Sequence, residues 1–378
     1  MTTFAELGLA ASLLQALTNE GYVAPTPIQT QAIPHVLAGR DVQGIAQTGT
    51  GKTAAFALPI LHRLMADKRP AKPKSCRVLV LSPTRELASQ IAESFQAYGR
   101  GTGLRTTLMF GGVPKMRQSR AIANGIDILV ATPGRLMDHM NERAVNLGSV
   151  EVLVLDEADH MLDLGFIIPI RKITASIPPA RQTLFFSATM PKEISVLAGQ
   201  MLRDPVHVAV TPISTTAERV DQRVMFVEAS RKRQVLGDML KTGRMGRTLV
   251  FTRTKHGADR VTQHLEAVGQ PAAAIHGNKS QPQREKALAA FKDGRVRVLV
   301  ATDIAARGID VDGVTHVVNF DLPNVPEAYV HRIGRTARAG QAGIAISFCD
   351  SSERGHLRGI EKLIRTRLPV EEIETMAA

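Results

Sequence analysis

The sequence predicts an α/β fold made of parallel sheets flanked by helices. Apolar runs of four residues recur along the chain, at 78–81, 128–131, 152–155, 183–186, 248–251, 298–301 and 316–319, and a last strand signal lies at 343–348. Short runs of this kind are typical of strands buried on both faces of a parallel sheet. Longer amphipathic stretches such as 85–98 and 256–268 lie between the runs. This alternation is expected of βαβ units.

Two further observations divide the fold into two similar domains. A polar, Pro-interrupted stretch at 210–219 predicts a short flexible linker between a domain at 1–209 and a domain at 220–378. The sequence Ile-Leu-Val-Ala-Thr at 128–132 is echoed by Val-Leu-Val-Ala-Thr at 298–302, at a corresponding depth in each half. The chain is therefore expected to hold two copies of one α/β domain.

The charge balance favours a polyanionic partner. Lys and Arg number 47 against 35 Asp and Glu, which gives a formal net charge of +12. Such a charge suits nucleic acid or an anionic membrane, but no apolar run approaches the ~18 residues of a membrane span. Aromatic residues are only 4% of the chain and Trp is absent, which argues against a surface of stacked bases.

Cysteine usage predicts a reducing compartment. Cys76 and Cys349 are the two cysteines and lie far apart in sequence, which excludes a disulfide framework and a Cys-rich zinc site. The first ten residues contain no Lys or Arg and do not resemble a secretory signal. These features predict a cytoplasmic location.

A phosphate-binding loop lies between a predicted strand at 42–45 and a predicted helix at 54–64. Glycines in such a loop let backbone N–H groups converge on phosphates, and the helix N-terminus adds a favourable field. Lys52 is predicted to neutralise the β- and γ-phosphates, and the Thr53 hydroxyl to bind Mg²⁺. The predicted loop consists of Ala46, Gln47, Thr48, Gly49, Thr50, Gly51, Lys52 and Thr53. Ala46 stands where the general pattern has its first glycine.

A second acidic motif follows the predicted strand at 152–155. Asp156 is predicted to reach Mg²⁺, as a carboxylate at the end of a buried strand does in phosphoryl-transfer sites. Glu157 is predicted to orient and deprotonate the attacking water. No second Gly-Lys-Ser/Thr triplet occurs in the C-terminal half, so the sequence predicts one nucleotide site with Mg²⁺ per chain.

Four motifs carry a resemblance to a known family. The loop ending Thr-Gly-Lys-Thr, the Asp-Glu-Ala-Asp of 156–159, the Ser-Ala-Thr of 187–189 and the His-Arg-Ile-Gly-Arg-Thr-Ala-Arg of 331–338 resemble the DEAD-box ATP-dependent RNA helicases. The resemblance runs from about residue 4 to about residue 348 and is closest to the bacterial RhlE-type branch. It implies two RecA-like α/β domains joined by a flexible linker.

The resemblance also implies roles in the ATP site. Phe4, Tyr22 and Gln29 match the adenine-reading segment, where Gln29 would favour ATP over GTP and Tyr22 would stack on the base. Core packing is the alternative for both aromatic residues. The remaining matches are ribose contacts at Gly308 and Asp310, arginine fingers at Arg335 and Arg338, and coupling residues at Asp159, Ser187 and Thr189.

Twelve further residues match RNA contacts of the family. They would bind phosphates and sugars and carry little base information, and contacts to 2′-hydroxyls would distinguish RNA from DNA. For each of them the alternative is a solvated surface, a turn or a helix cap. They are Pro83, Thr84, Arg85, Gly111, Gly112, Thr132, Gly134 and Arg135 in the first half, and Arg253, Gln281, Arg284 and Thr302 in the second.

Two departures from the family pattern predict tuning of the site. His160 follows Asp159 where Arg is frequent, and Ala337 stands where Gly is usual in the finger segment. Neither change removes a functional atom.

These matches imply an ATP-dependent RNA helicase. RNA, single-stranded or in short duplexes, would be bound through its sugar-phosphate backbone, and RNA would stimulate ATP hydrolysis coupled to domain closure and local strand separation. An ATP-gated RNA clamp or assembly factor with little unwinding is an alternative that uses the same residues. A metabolic P-loop kinase is a third possibility, which gives no role to the arginines of the second half.

Overall fold

The computed structural model describes residues 2–47, 49–210, 220–306, 311, 313–337 and 342–372. The chain divides into two compact units, Met1–Thr211 and Pro212–Ala378. The division falls within the predicted linker 210–219, of which only Val210 is among the described residues.

Unit 1 is a seven-stranded parallel sheet covered by helices on both faces. Its strands are β1 Val42–Ile45, β2 Cys76–Leu81, β3 Thr106–Met109, β4 Ile126–Ala131, β5 Val152–Leu155, β6 Gln182–Ser187 and β7 Val206–Ala209. They lie in the order β3-β4-β2-β5-β6-β1-β7. Helices α1 Ala11–Asn19, α2 Pro27–Leu37, α3 Lys52–Ala66 and α4 Arg85–Tyr98 pack on one face. The other face carries α5 Lys115–Ile122, α6 Pro133–Asn141, α7 Ala158–Asp163, α8 Ile167–Ala175 and α9 Lys192–Met201.

Unit 2 is a six-stranded parallel sheet of the same architecture. Its strands are β8 Val220–Phe226, β9 Thr248–Phe251, β10 Ala272–Ile275, β11 Val298–Ala301, β12 His316–Asn319 and β13 Gly343–Cys349, in the order β10-β11-β9-β12-β13-β8. Helices α10 Lys232–Lys241 and α11 Lys255–Ala267 pack on one face. Helices α12 Gln281–Lys292, α13 Asp303–Ala306, α14 Pro326–Ile333 and α15 Arg354–Ile364 pack on the other.

The two sheets share one strand order. Counted from the first strand of each unit, both sheets are ordered 3-4-2-5-6-1, and β7 is an additional strand at one edge of unit 1. The echoed sequences at 128–132 and 298–302 cover the ends of β4 and β11, which are the fourth strand of each unit. The predicted duplication of an α/β domain is confirmed.

Each sheet separates two hydrophobic layers, because successive strand residues point to opposite faces. In β6, Phe185 packs with α5–α9 and Phe186 with α1–α4. In β9, Phe251 packs with α12–α15 and Val250 with α10 and α11. Double-sided burial explains why the central strands are apolar at nearly every position. Within the described residues no helix combines the length and the apolar composition needed to cross a membrane.

Candidate active site

The carboxyl ends of three neighbouring strands of unit 1 bring the predicted ATP-site motifs together. Strands β5, β6 and β1 are adjacent and parallel, with Leu155 paired to Phe185 and Ile45 paired to Ser187. The loops that follow these strands begin at Asp156, at the Ser-Ala-Thr motif and at Ala46. In doubly wound folds, ligands bind outside this edge of the sheet.

The phosphate loop is held by contacts of its own residues. Lys52, the first residue of α3, is buried, and its Nζ donates to the carbonyl of Ala46 at 2.7 Å. The Thr50 hydroxyl donates to the carbonyl of Gln47 at 2.7 Å. Gly49 has a φ of +84° and Thr53 is half-buried as the second residue of α3. The predicted contact at Thr48 lies outside the described residues.

Gln29 joins the adenine-reading segment to this loop. Its side chain is fully buried: Oε1 accepts from the Thr26 backbone N–H at 2.9 Å, and Nε2 donates to the carbonyl of Gly51 at 3.1 Å. A Cβ at position 51 would lie 2.4 Å from Gln29 Nε2, and Gly51 has a φ of +91°. Only glycine therefore fits at this contact.

Two aromatic residues of the same segment contact each other. The rings of Phe4 and Tyr22 meet edge to face with centroids 6.2 Å apart. Phe4 is buried in the core of unit 1, whereas Tyr22 is 37% exposed and its hydroxyl lies 2.7 Å from that of Tyr98. Phe4 thus packs as the core alternative expects, and Tyr22 keeps an exposed surface.

The two acidic residues predicted to act in hydrolysis are buried side by side. Burial raises the pKa of Asp156 to about 6, against the opposing charge of Lys52. Glu157 has a φ of +53°, a left-handed conformation that costs a non-glycine residue about 1–2 kcal/mol. Its backbone N–H donates to Asp156 Oδ1 at 3.0 Å. Strain at this position is typical of a functional site.

His160 is a neighbour of Glu157 that the sequence analysis did not identify as a contact. Its Nδ1 lies 3.3 Å from Glu157 Oε2, and both side chains are buried. The i,i+3 spacing within a helical stretch was the available signal.

The three predicted coupling residues form one hydrogen-bonded network. The backbone N–H of Thr189 donates to Asp159 Oδ2 at 2.9 Å, and the Thr189 hydroxyl donates to the same oxygen at 2.8 Å. Ser187 Oγ accepts from the Asp159 backbone N–H at 3.2 Å and donates to the Thr189 carbonyl at 2.8 Å. The acidic motif after β5 is therefore tied directly to the end of β6.

In unit 2, the predicted finger Arg335 follows α14 and is buried, with its Nε donating to the His331 carbonyl at 3.3 Å. Ala337 has a φ of +55°, which explains why glycine would be the relaxed residue at this position. The predicted contacts at Gly308, Asp310 and Arg338 lie outside the described residues.

Arg332 anchors the finger segment and was missed by the sequence analysis. It is 1% exposed and forms a two-point contact with Asp303, at 2.6 Å and 2.8 Å. Its Nη1 donates to Asn319 Oδ1 at 3.1 Å and to the Asp321 carbonyl at 2.7 Å. The signal was its position three residues after buried Tyr329, on the core-facing stripe of α14.

The RNA-contact candidates of unit 1 follow β2, β3 and β4, three neighbouring strands. The guanidinium of Arg85 lies against Gly111 and Gly112, and a Cβ on Gly112 would fall 2.2 Å from Arg85 Nη1. Thr132 donates its backbone N–H to the Met109 carbonyl at 3.0 Å. Arg135 Nη1 donates to the Val113 carbonyl at 3.0 Å.

Other candidates in unit 1 differ in exposure. Gly134 is exposed, whereas Pro83 and Thr84 are buried. Thr84 caps α4 by accepting from the Leu87 backbone N–H at 3.3 Å. The helix-cap alternative thus describes the side chain of Thr84.

The candidates of unit 2 follow the equivalent strands. Arg253 follows β9, Thr302 follows β11, and Gln281 and Arg284 lie in the first turn of α12, between β10 and β11. Arg253 is exposed, Arg284 is half-buried, and Gln281 and Thr302 are buried. In both units, then, the second, third and fourth strands lead into the predicted RNA residues.

Comparisons with known proteins agree with this arrangement. The family described as DEAD/DEAH box helicase matches residues 26–197, and the family described as helicase conserved C-terminal domain matches residues 231–340. The chain belongs to the DEAD-box family of ATP-dependent RNA helicases. This membership excludes the metabolic kinase considered above.

Relatives and solved structures match over nearly the whole chain. The DEAD-box ATP-dependent RNA helicase CshA of Bacillus cereus is 44% identical over 376 residues, covering 100% of this chain and 71% of the relative. DEAD-box ATP-dependent RNA helicase 30 of Arabidopsis thaliana is 44% identical over 367 residues, covering 97% of this chain and 62% of that protein. Dbp5 of S. cerevisiae, solved with RNA and ADP BeF3, is 30% identical with a TM-score of 0.88, covering 99% of this chain and 96% of Dbp5.

The RhlE-type branch expected from the sequence is not supported. The bacterial relatives from Bacillus cereus and Limosilactobacillus reuteri both carry the name CshA, which is a different branch of the DEAD-box family. The motifs quoted above therefore assign the family and do not identify the branch.

Proposed function

We propose that this DEAD-box protein hydrolyses ATP in response to RNA and uses the cycle to separate short RNA duplexes locally. One observation carries the proposal: the phosphate loop, the acidic motif and the Ser-Ala-Thr motif meet at the carboxyl ends of β1, β5 and β6. The name of the Dbp5 neighbour, solved with RNA and a nucleotide analogue, supports both ligands.

The residues of unit 1 fit ATP together with Mg²⁺. Asp156 and Thr53 offer the hard oxygen donors that Mg²⁺ prefers. Since burial raises the pKa of Asp156, an added cation would stabilise its ionised form. Within the described residues no cluster of three His, Cys, Asp or Glu side chains is placed to hold a metal, in keeping with Mg²⁺ sites completed by substrate phosphates. When bound, Mg²⁺ would neutralise charge on the phosphate oxygens.

The protein side chains divide the remaining work. Lys52 would bind the phosphates. In the structure its buried Nζ donates to the Ala46 carbonyl. Glu157 would accept the proton of the attacking water. Gln29 would read the adenine with its remaining N–H and lone pair, because one of each is already used within the protein.

Arg335 and Arg338 would complete the hydrolysis site from unit 2 when the two domains close on ATP. An arginine that stabilises transition-state charge on the γ-phosphate raises the rate by ~10³–10⁵. Delivery from a second domain would make hydrolysis depend on closure, and RNA bound to both domains would favour closure. The Asp159–Ser187–Thr189 network would link the acidic motif to this change.

RNA would be bound at the ends of the second, third and fourth strands of each unit. The groups there are guanidinium side chains, hydroxyls and glycine backbone, which recognise phosphates and sugars. Recognition would therefore be independent of sequence, and 2′-hydroxyl contacts would select RNA over DNA.

The deciding measurement is ATP hydrolysis by the purified chain with and without single-stranded RNA, and with DNA of the same sequence as the matched control. We expect stimulation by RNA and little by DNA. A second assay follows separation of a short RNA duplex over many turnovers. An RNA-stimulated ATPase that separates no duplex would favour the RNA clamp instead.

A further inference from the structure

Unit 2 contains a buried ionic cluster close to the predicted RNA contact Arg253. The cluster, called here the Lys232 cluster, consists of Lys232, Arg253, Asp321, Asp350 and Glu353. Lys232 Nζ lies 2.5 Å from Glu353 Oε2, 3.0 Å from Asp350 Oδ2 and 4.0 Å from Asp321 Oδ1. The side chains of Lys232 and Glu353 are each only 2% exposed.

Glu353 holds Arg253 with its second oxygen. Arg253 Nη2 donates to Glu353 Oε1 at 2.5 Å and to the Leu322 carbonyl at 3.2 Å. The Arg253 backbone N–H also donates to Asp321 Oδ2 at 2.8 Å. Because the Arg253 side chain remains 38% exposed, its guanidinium is fixed on one side and open to solvent on the other.

Lys232 offsets part of the negative charge that Glu353 places beside Arg253. A carboxylate paired with one arginine cancels most of that charge, which would weaken attraction to a phosphate. Glu353 is shared between two cations, and Lys232 forms a further pair with Asp350. Together with Asp321 the cluster holds three carboxylates against two cations, so Lys232 offsets the buried charge of Glu353 without leaving surplus positive charge. What Arg253 keeps for another anion is its oriented N–H donors on the side open to solvent.

We propose that Glu353 is a positioning residue for RNA binding, which holds the guanidinium of Arg253 toward an RNA phosphate, and that Lys232 supplies the charge that lets one carboxylate do this. The inference rests on the proposed function, since Arg253 must contact RNA. Because Nη2 is held by Glu353 and the Leu322 carbonyl before RNA arrives, the guanidinium loses less conformational entropy when it binds a phosphate.

The test is a double-mutant cycle on the affinity for labelled single-stranded polyuridine, with a non-hydrolysable ATP analogue present. We expect Arg253→Ala to raise the Kd for this RNA about tenfold, and Glu353→Gln to raise it about threefold to tenfold, on the scale of one phosphate contact. In the Arg253→Ala background, Glu353→Gln should have no further effect.

Asp350→Asn is the control, because Asp350 contacts Lys232 and caps the turn that carries Glu353 but does not contact Arg253. Asparagine keeps the oxygen that accepts from the Ser352 backbone N–H. We expect it to leave RNA affinity unchanged. An equal loss of RNA affinity in Asp350→Asn and Glu353→Gln would overturn the inference, because the cluster would then only stabilise the fold. Persistence of the Glu353→Gln effect without Arg253 would overturn it as well.

Glu353→Gln alone leaves Lys232 without its closest partner and could unfold unit 2. The double variant Lys232→Met/Glu353→Gln removes the two most buried charges at nearly constant volume, a change that proteins tolerate, and Asp350 keeps its hydrogen bonds from Ser352. This variant should show the same loss of RNA affinity as Glu353→Gln. A wild-type chain that binds RNA but is indifferent to Arg253→Ala overturns this inference alone, whereas a wild-type chain that binds no RNA overturns the proposed function too.

Discussion

The first helix after the first strand begins with a buried lysine in both units, and the two lysines have opposite surroundings. Lys52 opens α3 in unit 1 and Lys232 opens α10 in unit 2. Lys232 is paired with Glu353 and Asp350, whereas no ion pair of Lys52 is found in the described part of the chain. At the same topological position, the lysine ammonium is paired with carboxylates in unit 2 and is hydrogen-bonded to a backbone carbonyl in unit 1.

The carboxylates of the two copies differ in the same way. Burial raises the pKa of Asp156 in unit 1 to about 6. In unit 2, burial would also raise the pKa of Asp350, but hydrogen bonds from Ser352 and Lys232 overcome it and lower that pKa to about 2. Buried charge is costly unless it is paired. In unit 1 the buried charges keep this free-energy cost, which bound phosphates and a cation would reduce. In unit 2 the ion pairs within the protein already reduce it.

The largest expected effect is on hydrolysis in unit 1. Glu157→Gln removes the proposed base without changing side-chain size, so we expect kcat for RNA-stimulated ATP hydrolysis to fall by a factor on the order of 10²–10⁴. Binding of a fluorescent ATP analogue should be retained. Glu193→Gln, an exposed change in the same unit, should leave both quantities unchanged. Full turnover in Glu157→Gln would contradict the assigned role.

Unit 2 should contribute to the transition state and not to ATP binding. Arg335→Lys keeps the charge but loses the planar fork of donors, so we expect kcat to fall on the order of 10³ with little change in the KM for ATP. Arg354→Lys, which alters an exposed arginine beside Phe226, serves as the control. A rise in KM at constant kcat would show that Arg335 only binds ATP.

Stability should respond in opposite directions to removal of the two carboxylates. Asp156→Asn removes a buried charge whose pKa is raised from 3.8 to about 6. We expect it to stabilise the chain without nucleotide or Mg²⁺ by about 2–3 kcal/mol above pH 6. The gain should shrink as the pH falls from 6 toward 4, because the wild-type carboxylate is then protonated when folded. Thermal unfolding midpoints at pH 5 and pH 8 would reveal this difference.

Asp350→Asn should do the reverse. The pKa of Asp350 is lowered from 3.8 to about 2, so its ionised form stabilises the folded state above pH 4, and this contribution is lost as the pH falls toward 2. We expect the variant to lose about 2 kcal/mol, equally at pH 5 and pH 8. Thermal midpoints of the kind used for Asp156→Asn measure it. A stabilising Asp350→Asn would break the contrast between the units.

The smallest effect is expected in the finger segment. Ala337 has a φ of +55°, so Ala337→Gly should relieve backbone strain and stabilise unit 2 by up to about 1 kcal/mol, less the entropy of a more flexible unfolded chain. Ala289→Gly, in the exposed face of α12, should instead destabilise it by about 1 kcal/mol. Equal losses of stability in both variants, measured by thermal unfolding, would show that the backbone at Ala337 is not strained.

The sequence predicted the interior of each sheet and missed the edges. All four strands that were not predicted, β3, β7, β8 and β10, lie at the edges of the two sheets. Their residues are polar, alternating or Ala-rich, as in the Ala-Ala-Ala-Ile of β10, because an edge strand need not be buried on both faces. The central strands carry the continuous apolar signal, so they were found.

The same physical limit applies to the site. The local motifs placed the phosphate loop, the acidic motif and the Ser-Ala-Thr motif correctly on strand ends, because each is one short segment. The Lys232 cluster joins residues about a hundred positions apart, such as Arg253 and Glu353. A contact over that separation cannot be predicted from a local sequence pattern. The burial of Arg332 was likewise set by its partners Asp303 and Asn319.

The contact between Gly51 and Gln29 constrains how this protein can change over generations. Position 51 rejects other residues for two unrelated reasons, its left-handed backbone and the amide group 2.4 Å from where a Cβ would stand. A change elsewhere that removed one of these two obstacles would leave the other in place. The segment that would select the base and the loop that would hold the phosphates meet at this contact, so any substitution at position 51 would disturb both at once.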